Sequence, residues 1–559
     1  MGLKTRMALA LALLFGLVFA IGMGFIAVLE YFGIIQGIWL FIIPLCFAIF
    51  VVFLQWALSP FIISWLYKIE WIPIEELPPI LQFYITDVCA REKINVPKVG
   101  IIEDLNPNAF TFGWTKNHAR IAITRGVLEY CDPEEARAVV AHEMGHIVHN
   151  DFVVMTVVAA IPLIFYIIAR ASIQALRYIP KRGRKGGGQA ALVFLITAAF
   201  SYLIYVLSQF IALLISRYRE YYADEYSAES TGQPNALASA LLKIAYGMAT
   251  EGLGEASEKG HRKHVTALGI FNADSARALA AMSADAYGNY SVETIQKAMA
   301  WDLWNPWAWL LELQSTHPLP AKRLKKLGEM AEKMGQEPLV SFKLKKPECY
   351  WDDFLKDIFA KYGGALLGIG VGAFLMWYGW THGFTTGKLA WTFLFSFAFF
   401  IFIVGAWGLG YLLCYAYPFR FRDAAVVNLL ENPKASPIKG IPVRLQGRII
   451  GRGIPGLFFS EDLKLDDGTG LLLIDYHQIS KIIDFFVGIF GTERHIGKTV
   501  VVEGWYRRKI IPYLELYRMD TLDGRETRKV YTSYFYIFAT VVVMVVGFLF
   551  TYLIIPFIL

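Results

Sequence analysis

Two histidines stand four residues apart in "VVAHEMGHIVHND", with a glutamate directly after the first. On a helix, His142 and His146 share one face a turn apart and can grip a single Zn²⁺, while Glu143 is placed to act on a water in the open coordination position. That is the chemistry of a zinc-dependent peptidase. The segment begins at "DPEEARAVVAHEMGH", where Asp132 can cap, Pro133 suits the first turn and Glu135 completes a capping box. Helical character is expected to continue as far as Asp151.

A catalytic zinc takes three protein ligands, so one is missing. His149 lies on the same face but sits about 10.5 Å along the axis from His142 by helical rise. Two nitrogens on one zinc can each be only about 2.1 Å from it, which excludes His149. Glu220 is the better third ligand, one turn before Asp224 in "ISRYREYYADEYSA". Between the histidines and Glu220 lie two apolar runs, 152–176 and 190–215, that read as an antiparallel membrane hairpin. His146 precedes this hairpin by about as many residues as Glu220 follows it. Both are therefore expected at one height, about 9 Å from the membrane edge by helical rise. Asp224 can then accept the free ring N–H of a ligand histidine. The competing reading makes both acids part of a solvated helix start among Arg217 and Arg219.

The elements that must position these groups are largely apolar. With 559 residues, 56% hydrophobic and 18% charged, the chain is too apolar for an ordinary soluble protein. Apolar runs of the roughly 20 residues needed to cross a bilayer, with Arg170 the one charge inside them, fall at about 7–29, 35–58, 152–176, 190–215, 364–381, 389–414 and 532–556. The first follows Lys4 and Arg6 and reads as an uncleaved anchor. An even number of spans before each polar segment (68–150, 216–361, 418–530) places all three on one side, and the Lys/Arg-rich flanks make that side cytoplasmic. The basic turn "RYIPKRGRKGGGQ" disagrees, since it would lie outside. Five scattered cysteines without a C-x-x-C pair imply no disulfide framework. The net charge of +6 is spread along the flanks of the apolar runs, which suits topology better than nucleic-acid binding.

"NAFTFG" at 108–113, "AHEMGH" at 141–146, "REYYAD" at 219–224 and "STHPLPAKR" at 315–323 together resemble the successive motifs of HtpX-like and CAAX-prenyl-protease-like membrane zinc metalloproteases, over about residues 1–335. The resemblance implies a gluzincin site with His142, His146 and Glu220 on zinc and Glu143 as base. It also implies a role for His317 near the transition state and for Arg323 in holding the site together. From the residues alone, His317 can equally cap the helix "LPAKRLKKLGEM", and Arg323 can be a snorkelling helix residue. "NAFTFGW" is β-prone, so Asn108, Ala109 and Phe110 either present an edge to which an extended substrate adds as a strand or form an ordinary hairpin edge.

Three further stretches carry weaker signals. "WDLWNPWAWLLE" places Trp301, Trp304, Trp307 and Trp309 close together, as an interfacial belt or a packed core corner. The polar stretch 251–264 reads as a loop with solvated His261 and His264. Residues 441–521 read as five alternating strands with a helix-capable insert at 478–491, an OB-like small barrel outside the family resemblance. Its Arg507, Arg508 and Lys509 suit a strand end facing anionic lipid as well as they suit nucleic acid.

The expected fold is mainly α. It is a polytopic membrane protein with a zincin-like α+β protease domain (68–350) continuous with the 152–215 hairpin. A two-span anchor (1–67), a second hairpin (362–417), the OB-like domain (418–530) and a final span (531–559) complete it. The expected function is endopeptidase cleavage of membrane or misfolded proteins, as in quality control. A prenyl-peptide endoprotease and a non-catalytic scaffold with structural zinc are the alternatives.

Overall fold

The computed structural model describes residues 39–104, 107–178, 187–250, 292–342, 348–452, 462–476, 495–509, 511–522 and 526–558. The apolar run 7–29, the polar stretch 251–264, most of the basic turn after Arg177 and the insert 478–491 lie outside these residues. Two units are present, one containing residues 39–250 with 312–342 and the other residues 292–311 with 348–558.

The first unit opens with the apolar helix α1 (Trp39–Tyr67), which leads into β1 (Glu70–Ile72), α2 (Pro79–Glu92), β2 (Lys98–Ile102), β3 (Ala109–Gly113) and β4 (Ala119–Thr124). The sheet order is β1-β2-β4-β3, with β2 and β4 parallel and the other pairs antiparallel. One sheet face packs Ile102, Phe110, Phe112 and Ala122 against Tyr67 and Ile69 at the end of α1, with Ile63 and Leu66 beside them. β3 is an edge strand of this sheet.

The helix α3 (Pro133–Val148) starts as its sequence requires. Pro133 is in the first turn, and the Asp132 backbone N–H donates to Glu135 Oε2 at 2.8 Å to complete the capping box. α3 packs on β3, α2, α5 (Gly187–Thr231) and α6 (Pro234–Thr250). Helical structure does not run through to Asp151. Asn150 takes left-handed dihedrals with φ +58°, and α4 (Asp151–Ala175) begins afresh after it. This break means that helical rise from His146 to Phe152 gives no height above the membrane. α4 and α5 do pack together as an antiparallel hairpin. α5 is one unbroken helix of 45 residues, about 68 Å long by helical rise, so it carries Glu220 and Asp224 on the same rod as its apolar half. α7 (Pro320–Lys333) packs against α5 and α6.

Four helices among the described residues are long and apolar enough to cross a membrane: Ala191–Thr231, Trp351–Thr381, Thr386–Ala416 and Thr532–Phe557. Shorter apolar stretches lie at Trp56–Tyr67 and Ile161–Ala175. The last three long helices belong to the second unit, as α8 (Trp351–Thr381), α9 (Thr386–Tyr411) and α10 (Thr532–Ile554). α9 and α10 meet at glycines. A Cβ placed on Gly405 would lie 2.5 Å from the Met544 nitrogen, and one on Gly547 would lie 2.4 Å from the Phe402 nitrogen. Only small residues allow such backbone contact between membrane helices.

Between α9 and α10, the strands β5 (Ile441–Arg452), β6 (Leu463–Asp466), β7 (Leu471–Asp475), β8 (Thr499–Arg508) and β9 (Pro512–Thr521) close a five-stranded barrel. β5 pairs with β6, β6 with β7, β7 in parallel with β9, β9 with β8, and β8 back with β5. Arg507 and Arg508 face neither lipid nor a nucleic-acid groove. Arg508 is fully buried, donates to the carbonyls of Leu430 and Ala298, and stacks over Trp301 at 4.9 Å. Arg507 binds Glu515 and the Ala416 carbonyl, each at 2.8 Å.

Residues 292–311, which the sequence reading places in the 68–350 domain, pack instead in this second unit. Trp301 Nε1 donates to the Ala435 carbonyl and Trp307 Nε1 to Asp357 Oδ2, both at 2.7 Å. Those two tryptophans are core residues, whereas Trp309 is half exposed.

Candidate active site

The α3 and α5 backbones come close enough to share a site because α3 has glycine at 145. A Cβ there would stand 3.1 Å from Ala223 Cα and 3.2 Å from Tyr226 Cβ on α5. The glycine of "AHEMGH" thus sets the spacing across which Glu220 reaches the histidines.

His142, Glu143, His146, Glu220 and Asp224 are all buried. Glu220 spans the two imidazoles: His142 Nε2 is 3.7 Å from Oε2, and His146 Nε2 is 3.7 Å from Oε1. One ligand atom from each of the three residues lies within 4.8 Å of the others. Ligands about 2.1 Å from a tetrahedral zinc would be about 3.4 Å apart, so the triangle has the right size for that ion. The buried His142 Nε2 and Glu220 Oε2 have no hydrogen-bond partner, a costly arrangement for polar atoms. A dication at the centre of the triangle satisfies both, and this donor set suits zinc. His149 is not part of the cluster; it ends α3 and packs its ring on Tyr222 and Tyr226.

Each histidine is backed by an aspartate, and each aspartate by an arginine. His142 Nδ1 lies 3.0 Å from Asp224 Oδ1. Arg323, fully buried on α7, forks Asp224 with Nε to Oδ2 at 2.9 Å and Nη2 to Oδ1 at 2.6 Å. His146 Nδ1 lies 2.6 Å from Asp151 Oδ2, which also meets Arg219 Nε at 2.9 Å. Such carboxylates fix the tautomer and orientation of a ligand imidazole. The sequence reading gives neither Asp151 nor Arg219 a role in the site. On an unbroken helix Asp151 would point away from His146, because five residues turn the chain by about 500°. The left-handed step at Asn150 brings it back, and only an aspartate immediately after the motif could have hinted at it.

Burial pushes the Glu143 carboxyl above its ordinary pKa, against the opposing pull of His146 and His142, while a hydrogen bond from Thr111 on β3 favours its ionised form. His142 is pushed down by burial but held up more strongly by the Asp224 and Glu220 carboxylates, from 6.5 to about 9.

The segment 312–319 is fastened to α5. Arg217 Nη1 donates to the carbonyls of Glu312 at 2.6 Å and Ser315 at 3.0 Å, and Ser216 Oγ donates to the Thr316 carbonyl at 2.9 Å. His317 Nε2 is thereby held 3.7 Å from Glu220 Oε1. It does not cap α7: the capping position is Leu319, whose N–H donates to Glu312 Oε1 at 3.0 Å. Arg323 snorkels nowhere, being the buried partner of Asp224.

Asn108, Ala109 and Phe110 are buried. Asn108 is tied to β4 by mutual hydrogen bonds with Thr124, at 2.7 and 2.9 Å. Phe110 packs against Tyr67. These side chains belong to the core, so what β3 offers beside α3 is its backbone edge and Thr111.

Residues 80–331 match the family model described as "Peptidase family M48". The protease HtpX homologue of Methanothermobacter thermautotrophicus is 41% identical over 245 residues, covering 43% of this chain and 85% of that protein. The HtpX homologue of Aquifex aeolicus is 32% identical over 308 residues, covering 55% of this chain and 89% of its own. The crystal structure of S. mikatae Ste24p is similar at 20% identity and a TM-score of 0.34, over 58% of this chain and 65% of that one. With its HExxH helix, the distant carboxylate on α5 and four helices apolar enough to cross a bilayer, the chain belongs to peptidase family M48, among the HtpX-like multi-pass membrane metalloproteases.

Proposed function

We propose that the protein is a zinc-dependent endopeptidase that cleaves membrane or membrane-associated proteins, with His142, His146 and Glu220 as ligands and Glu143 as general base. The observation that carries this reading is the convergence of both Nε2 atoms on Glu220 beside a buried glutamate. Bound Zn²⁺ would polarise the scissile carbonyl and the attacking water. Glu143 takes the proton of that water and passes it to the leaving amine, a task suited to a carboxyl whose pKa is raised. Asp224 with Arg323, and Asp151 with Arg219, hold the imidazoles in the ligating tautomer. His317 stands beside Glu220 and is placed to hydrogen-bond a developing oxyanion. The free edge of β3 supports docking of an extended substrate through backbone hydrogen bonds.

α5 runs without a break from its apolar half to Glu220, which supports substrates that lie in or on the bilayer, as in quality control. The basic flanks of the polar segments support a cytoplasmic active site. The five-stranded barrel is read here as OB-like, and positioning of substrate is its proposed role. A scaffold with structural zinc has no use for a buried base at Glu143.

Purified protein incubated with an unfolded membrane protein should cleave it, lose cleavage on chelation and regain it with zinc; cleavage that survives chelation would refute the reading. Cysteines placed in the polar segments 68–150, 216–361 and 418–530 should resist labelling from outside the cell, and labelling of any of them would overturn the topology.

A further inference from the structure

Where α1 enters the first unit, an open groove of about 910 Å³ is walled by residues that include Phe61, Trp65, Trp71, Pro97, Lys98 and Arg120. Lys98 and Arg120 are direct partners in the parallel pairing of β2 with β4, so both side chains leave the sheet on one face. Trp71, opposite Gly100, and Phe112, opposite Arg120, share that face. The Arg120 guanidinium lies 5.6 Å from the rings of Phe61, Trp71 and Trp114 and 6.0 Å from that of Phe112. Its Nη1 donates to the Pro60 carbonyl at 3.3 Å and to Ser64 Oγ at 3.2 Å. Neither cation has a carboxylate partner among the described residues. Like charges placed opposite each other in a ladder repel.

Running away from the groove along α1, Phe50, Phe53, Phe61 and Trp65 are exposed, with Trp65 at 79%. At 3.6 residues per turn they fall within about 120° of arc on one side of the helix, in a stripe about 22 Å long by helical rise. Half of a bilayer's hydrocarbon core is about 15 Å thick, so the stripe can accompany one acyl chain over its whole depth. A pair of cations with no acid beside them among the described residues, at the head of an exposed apolar stripe, calls for an occupant that is anionic at one end and a hydrocarbon chain at the other. We propose that this groove binds an anionic phospholipid, with the phosphodiester between Lys98 and Arg120, the headgroup against Trp65 and Trp71, and an acyl chain along α1.

Native mass spectrometry of the full chain in detergent, titrated with phosphatidylglycerol or phosphatidylcholine, tests this site independently of peptidase activity. Wild-type protein should retain phosphatidylglycerol in preference. Lys98→Gln, an exposed change that the fold tolerates, should weaken that retention about fivefold, and Lys98→Gln with Arg120→Gln about 25-fold, from roughly 1 kcal/mol per cation. Phosphatidylcholine, whose phosphodiester is already neutralised by its own choline, should be weakened much less than phosphatidylglycerol. Trp65→Ala should weaken phosphatidylglycerol as well. Equal retention of the two lipids, or unchanged phosphatidylglycerol affinity in Lys98→Gln, overturns the proposal. So does displacement by inorganic phosphate at constant ionic strength with no effect of Trp65→Ala, which would make this a free-phosphate site.

Discussion

Both units bury charge, and they handle it differently. In the barrel unit, Arg508 is enclosed completely and donates to the Leu430 and Ala298 carbonyls, with the buried Asp302 carboxylate 3.8 Å away and Trp301 under its plane. In the peptidase unit, Arg323 is enclosed just as completely but binds Asp224, which turns to His142. That chain ends in a buried Nε2 and a buried carboxylate oxygen without hydrogen-bond partners among the described residues. The barrel's buried charge is met mainly by backbone carbonyls and holds a fold together. The peptidase unit's buried charge stays open at one point, and the opening has the dimensions of a metal ion.

The largest effect should separate the metal from the chemistry inside the open site. Glu143→Gln leaves the three ligands in place, so zinc should stay bound while cleavage drops by about 10²–10⁴-fold, the range for losing general acid–base help. Glu220→Ala should lose zinc and activity together. Full metal content in Glu220→Ala would put the third ligand elsewhere.

The contrast between the arginines comes next. Arg323→Met leaves Asp224 buried without its cation and should destabilise the protein by roughly 3–5 kcal/mol, with zinc content falling too. Arg508→Met strands two carbonyls, at roughly 1–3 kcal/mol each, removes the cation 3.8 Å from Asp302, and should leave zinc affinity as in wild type. Thermal unfolding with and without zinc distinguishes them; if Arg508→Met also lost zinc, the two charge systems would not be separate in kind.

Asp151→Asn and Asp224→Asn sharpen the comparison within the site. Each should weaken zinc by about 10–100-fold. Equilibrium dialysis showing no change in Asp151→Asn would leave the left-handed step at Asn150 without a role in metal binding.

The smallest effect is on pH. In the metal-free protein, His142 has its folded pKa raised from 6.5 to about 9. Its stabilising contribution is therefore complete below about 6.5 and is lost as pH rises through 9. Metal-free protein should lose thermal stability across that window, whereas zinc-loaded protein, with His142 neutral, should not. Zinc uptake between those limits should release protons, measurable by calorimetry in buffers of different ionisation enthalpy.

His142, Glu143 and His146 could be read from the sequence because a helix fixes which residues four apart share a face, and the cap at Asp132 with Pro133 marks where that helix starts. Glu220 and Asp224 were legible by the same periodicity, together with an apolar hairpin that brings α5 back alongside α3. The five alternating strands of the barrel follow from a period of two, which local sequence displays directly. Asp151 was hidden because its role depends on one left-handed residue, and the sequence does not say that Asn150 adopts that conformation. Arg323, His317, Arg507 and Arg508 were ambiguous for a different reason. A long or polar side chain has the same local sequence whether it snorkels, caps or sits in a core, and only the elements packed around it decide. Local spacing thus determined the candidate ligands, the helices and the strands of this protein. Tertiary packing decided which carboxylate faces which imidazole, which arginines are buried, and where residues 292–311 belong, because those contacts join segments whose separation along the chain carries no periodic signal.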